Sequence, residues 1–114
     1  MTVDARFLEA LRETLGFVPD LRLRRMFGAV GLYSGDLFFA VGDEGVLYLK
    51  VDAETEPMFR AEGLSPFTFR EASGAEVSMS YWQAPDALWE DPDVARDWVA
   101  LAMAAAARKT RKKR

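Results

Sequence analysis

The tightest constraint on the fold is the spacing of apolar runs in the first half of the chain. Val30 to Tyr33, Leu37 to Val41 and Val46 to Val51 are separated only by Ser34-Gly35-Asp36 and Gly42-Asp43-Glu44-Gly45. Parallel strands need a crossover of about a dozen residues, so loops this short select antiparallel hairpins. The sheet is expected to be a meander, which argues against a doubly wound nucleotide-binding fold.

The flanking segments read as helices and further strands. Phe7, Leu8, Leu11 and Leu15 recur at helical spacing between charged residues, and Gly16 is a natural end for that helix. Pro19 and Asp20 turn the chain into Leu21 to Met26, where leucines alternate with arginines as on a half-buried strand. From Asp52 to Gly63 a short helix is expected, capped by Asp52 or Thr55, with Pro57 near its start and Met58 and Phe59 buried. Phe67 to Arg70 and Val77 to Tyr81 form a second hairpin around Ser73-Gly74, with Val77, Met79 and Tyr81 on one face. Pro85 opens a turn, and Asp91-Pro92 places a cap and a first-turn proline before a final helix. That helix should bury Val94, Trp98, Leu101, Ala102 and Ala105 and end near Ala107. The fold class is therefore α+β, an antiparallel sheet of about five to six strands with helices packed on it, in the order α-β(3-4)-α-β(2)-α. Residues 1–107 form a single domain, and residues 108–114 are expected to be a disordered basic tail.

Composition removes much chemistry. The 114 residues include neither cysteine nor histidine, which excludes thiolate or imidazole zinc sites, thiol nucleophiles and imidazole-based triads within this chain. The formal net charge is −3, but Arg108 to Arg114 holds six basic residues and no acid, so an acidic body carries a basic end. The amino terminus lacks a basic start before a long apolar run, and no stretch approaches a membrane span. A cytoplasmic protein is the expectation, with no membrane partner.

Four ordered blocks carry a family resemblance. They are Arg25-Met26-Phe27-Gly28 with Gly31-Leu32-Tyr33, then Leu47 to Asp52, then Gly63 to Phe69, then Met79-Ser80-Tyr81-Trp82 with Pro85. In this order they resemble the amino-terminal domain of the TfoX/Sxy family over roughly residues 20–107. The resemblance implies helix, three or more strands, helix, two strands and helix, in agreement with the order read from the residues. It also implies a bacterial role around natural competence and transformation, as a regulator without established enzymatic activity. Founding regulators of this family have a second, helical domain, and the resemblance covers the first.

Surface candidates follow from residue type. Arg24, Arg25, Phe27, Trp82 and Trp89 are the candidate protein-contact surface, built from the loops around Gly28 and Trp82, and an exposed strand edge offers a route to a homodimer. Arg22, Arg108, Lys109, Arg111, Lys112, Lys113 and Arg114 are candidate contacts for weak nucleic-acid binding, with Arg24 and Arg25 extending the Arg22 strand face. That tail has no side chain suited to reading bases. Lys50 reads as a structural partner of Asp52. Gly28 and Gly31 lack the longer phosphate-loop pattern and read as hairpin or bulge positions. Asp36, Asp43 and Glu44 sit in turns, where acids are common for conformational reasons. No catalytic, cofactor-binding or metal-ligating residue is assigned. The leading expectation is a non-enzymatic regulatory module with a protein partner, and the alternative is a weak nucleic-acid binder.

Overall fold

The computed structural model describes residues 4–26, 28–70 and 76–112, with the side chains of residues 69–70, 76–79 and 112 also outside the description. The elements are α1 (Ala5–Thr14), β1 (Leu21–Met26), β2 (Ala29–Ser34), β3 (Leu37–Asp43), β4 (Val46–Lys50), α2 (Glu56–Ala61), β5 (Pro66–Arg70), β6 (Glu76–Gln83), a 3-10 turn (Asp86–Trp89) and α3 (Pro92–Lys112). Six strands form one sheet in the order β1-β2-β3-β4-β6-β5, and every paired neighbour is antiparallel. The α+β architecture and its element order thus agree with the sequence reading.

Turn chemistry fixes the meander. Met26 pairs with Ala29 and Asp43 with Val46, so both connections are two-residue hairpin loops. Gly28 adopts φ +80°, while Glu44 and Gly45 adopt +49° and +79°, the left-handed geometry that matches strand twist. The Ser73-Gly74 turn lies outside the described residues. So do the side chains of Val77 and Met79, whose face was expected to be shared with Tyr81.

One face of the sheet carries the core. Val30, Leu32, Ala40, Leu47, Leu49 and Trp82 pack with Leu8, Leu11 and Leu15 of α1, Phe59 of α2, and Ala95, Val99, Ala102 and Ala106 of α3. Gly42 lets α1 approach the sheet. A Cβ at Gly42 would stand 2.8 Å from the Phe7 ring and 2.9 Å from Val30. Asp4 caps α1 through its side chain, and Asp91 Oδ1 accepts from the Asp93 N–H, as its place before Pro92 leads one to expect.

Several expectations need correction. Met58 is exposed, because α2 is barely two turns long and only its Phe59 side reaches the core, edge-on to Trp98 at 4.8 Å. The buried stripe of α3 runs through Ala95, Val99, Ala102, Ala105 and Ala106, whereas Val94, Trp98 and Leu101 flank it half-buried. Small residues allow the helix to lie close to the sheet. Finally, α3 does not stop near Ala107 but continues through Arg108 to Lys112.

Candidate functional site

The sheet has a second face, and its composition is unusual for a surface. Strand alternation turns Arg24, Gly31, Val41, Tyr48 and Gln83 away from the helices in one continuous row of register partners. A second row contains Arg22, Tyr33 and Phe38, with Lys50 beside Tyr81. These side chains lie outside the main core cluster, although Lys50 and Tyr81 are buried and, with Phe38, line a cleft shared with Ala106, Lys109 and Thr110 of α3. Tyr33, Phe38, Val41 and Tyr48 are half-buried, as is Phe67 from β5.

Ring contacts run within each row. Tyr33 and Phe38 stack at 4.8 Å between centroids, Phe38 meets Tyr81 at 5.6 Å, and Tyr48 meets Phe67 at 4.7 Å. Gly31 makes room for this packing. A Cβ there would lie 2.7 Å from the Met26 methyl and 3.1 to 3.2 Å from the Phe38 and Tyr33 rings. Cations flank the aromatics, with the Arg24 guanidinium 5.7 Å from the Tyr33 centroid and Lys50 Nζ 4.9 Å from that of Tyr81. Lys50 Nζ also donates to Ser80 Oγ at 2.6 Å. Burial, reinforced by Tyr33, pushes the Tyr81 hydroxyl up to about 12. Burial also raises Tyr48, with smaller contributions from the Asp43 and Glu44 carboxylates. Both hydroxyls are neutral hydrogen-bonding groups at physiological pH.

A charge clamp lies beyond the end of β4. Arg108 donates from Nε to Asp52 Oδ2 at 2.6 Å and from Nη2 to Oδ1 at 3.0 Å, and its Nε lies 2.9 Å from Glu54 Oε2. The Arg108 bonds hold the Asp52 carboxyl down at about 2, aided by the Thr55 and Glu54 backbone N–H groups. The partner of Asp52 is therefore Arg108, where the sequence suggested Lys50. The clamp ties α3 to the start of the α2 turn and gives a physical reason for helix beyond Ala107.

The structure disperses the residues singled out from sequence. Arg24 lies on the aromatic face and Arg25 on the opposite side of β1, because adjacent strand residues alternate. The idea that Arg22, Arg24 and Arg25 share one surface is corrected on that ground. Arg22 pairs with Asp20 at 3.0 Å. Trp82 is buried in the core, touching Phe59, with the Arg60 guanidinium 5.3 Å from its ring. Since β1 and β6 are separated by three strands, the regions around Gly28 and Trp82 do not form one patch. Trp89 packs near Phe7 of α1 at 6.2 Å, on the helical side. Lys109 and Arg111 are exposed on α3, Lys112 ends that helix, and Phe27, Lys113 and Arg114 lie outside the described residues.

Sequence reasoning missed Tyr33, Phe38, Tyr48 and Phe67. A signal was present in Val46 to Lys50, where Leu47 and Leu49 alternate with Tyr48 and Lys50. In β3 the signal is scrambled. The register passes from Leu32↔Ala40 to Tyr33↔Phe38, leaving Phe39 as an extra residue turned into the core.

Carboxylate chemistry finds little support. Asp36 and Asp43 bracket β3 and are roughly 20 Å apart at about 3.3 Å per residue, too far to share a metal or a proton. Among the described residues no group of three or more acidic side chains is placed to hold a metal ion, and no helix is long and apolar enough to cross a membrane.

A family model described as the TfoX N-terminal domain matches residues 13–106. The chain belongs to the TfoX N-terminal domain family. No curated protein matches it. The matched segment of this TfoX N-terminal domain takes in every strand of the sheet, and so the whole aromatic face.

Proposed function

We propose that this TfoX N-terminal domain acts without turnover, as a regulatory protein-contact module related to competence regulators, and that its partner seats on the aromatic sheet face. The supporting observation is the set of half-buried rings outside the core, Tyr33, Phe38, Tyr48 and Phe67, backed by the buried Tyr81 and flanked by Arg22 and Arg24. Aromatic and arginine side chains are the types that dominate protein interfaces, since they combine large apolar area with a polar handle. Affinity capture from the native cell with the wild-type chain and with a Phe38→Ser/Tyr48→Ser variant tests this. The variant should lose the captured partner while its circular dichroism spectrum and cooperative melting persist. Undiminished capture by a folded variant contradicts the reading.

The nucleic-acid alternative retains fewer groups than the sequence offered. Arg108 is held by Asp52 and Glu54, and the β1 arginines are split between two faces of the sheet, which leaves Lys109 and Arg111 as exposed described contacts on α3. Such binding would be weak and steeply salt-dependent. An anisotropy titration at low and high salt, with Lys109→Ala/Arg111→Ala as control, separates the two readings.

A further inference from the structure

The two ends of the sheet are built differently. The β5 end begins at Pro66, which has no N–H to offer a new strand. The β1 end is a six-residue strand that, among the described residues, pairs with β2 alone. The Gly35 N–H donates to the Asp20 carbonyl at 2.9 Å, and the hairpin closes at Met26↔Ala29. Antiparallel alternation then directs the backbone groups of Arg22, Arg24 and Met26 toward β2 and those of Leu21, Leu23 and Arg25 outward. Three N–H and three C=O groups thus face the open edge, beside three exposed arginines and two half-buried leucines.

A second copy is a poor occupant. Every antiparallel β1–β1 register that uses the outward groups and overlaps three or more residues sets arginine opposite arginine. Centring on Leu23 confronts Arg22 with Arg24 twice, and the neighbouring registers confront Arg22, Arg24 or Arg25 with its own copy. Directly opposed like charges destabilise a strand pair. The arginines guard the edge against self-association while leaving it open to a strand of opposite charge.

We propose that the β1 edge binds an extended peptide of a protein partner in which acidic and apolar residues alternate, added as a seventh strand. Its acids lie beside Arg22 and Arg24 on the aromatic face, and its apolar residues beside Leu21 and Leu23 on the core face. The exposed Arg22–Asp20 pair is of the weak surface kind and yields readily to an incoming carboxylate. This deepens the protein-contact reading and rests on it.

The test uses the full chain and a labelled, end-blocked hexapeptide alternating valine and glutamate, with a lysine-for-glutamate peptide as control. Anisotropy should show binding of the acidic peptide only, weakened by added salt. Arg22→Glu/Arg24→Glu should weaken it by about tenfold or more, as both attractions become repulsions. Arg25→Pro should weaken it more than Arg25→Ala, since proline also deletes an outward donor. Hydrogen exchange should slow at the Leu21, Leu23 and Arg25 amides when the acidic peptide is bound. Equal binding of both peptides, or unchanged exchange at those amides, overturns the proposal. So does wild-type self-association that protects them without peptide. If the acidic peptide binds as expected while Phe38→Ser/Tyr48→Ser still captures its partner, the edge stands and the aromatic-face reading falls. Loss of capture by that variant without peptide binding overturns the edge alone.

Discussion

Asp52 links local turn geometry to the end of a distant helix. Its Oδ1 accepts from the Glu54 and Thr55 N–H groups, while both oxygens take the Arg108 guanidinium. Asp52→Ala removes the acceptor of two turn N–H groups, in the manner of an N-cap, as well as an ion pair, and should cost about 1–2 kcal/mol in denaturant unfolding. The carboxyl sits at about 2 when folded, against about 3.9 unfolded. A group with a depressed folded pKa stabilises fully above its unfolded value and loses that contribution as pH falls through its folded value. Arg108→Ala should therefore lower the denaturation midpoint at pH 6, with the gap to wild type closing between about pH 4 and pH 2. A gap independent of pH would show that Arg108 acts through packing alone. Gly42→Ala makes a separate prediction. With Phe7 and Val30 both under 3 Å from the new Cβ, it should destabilise by about 1–3 kcal/mol.

At the scale of elements, α3 departs most from its sequence pattern. Its last five residues have no apolar side chain and read as a fraying end, yet the helix persists because Arg108 finds acids 54 and 56 residues away in sequence. Truncation after Ala107 should thus lower the melting temperature by several degrees, where a loose tail would leave it unchanged. Legibility followed the range of the interactions. The hairpins and helix caps were readable because two-residue turns and Asp91-Pro92 act locally. The burial of Trp82 was not, since it depends on β6 inserting between β4 and β5 against Phe59. Nor was the aromatic face, because the extra residue Phe39 breaks the period-two pattern that would have separated Phe38 from the core.

The whole molecule is a sheet with two unlike sides. Three helices close one side into a core of aliphatic residues, alanines, Phe39, Phe59 and Trp82. The other presents half-buried aromatics, with arginines toward the β1 edge. Spending so many aromatic residues away from the core makes physical sense if a partner completes their burial. The most direct test is site-specific photo-crosslinking in the native cell, placing the reactive residue in turn at Arg24, Tyr48 and the exposed helical position Asp97. The sheet-face account predicts one common protein adduct from positions 24 and 48 and none from 97. An adduct from 97 alone, or no adduct from the sheet positions, would contradict it.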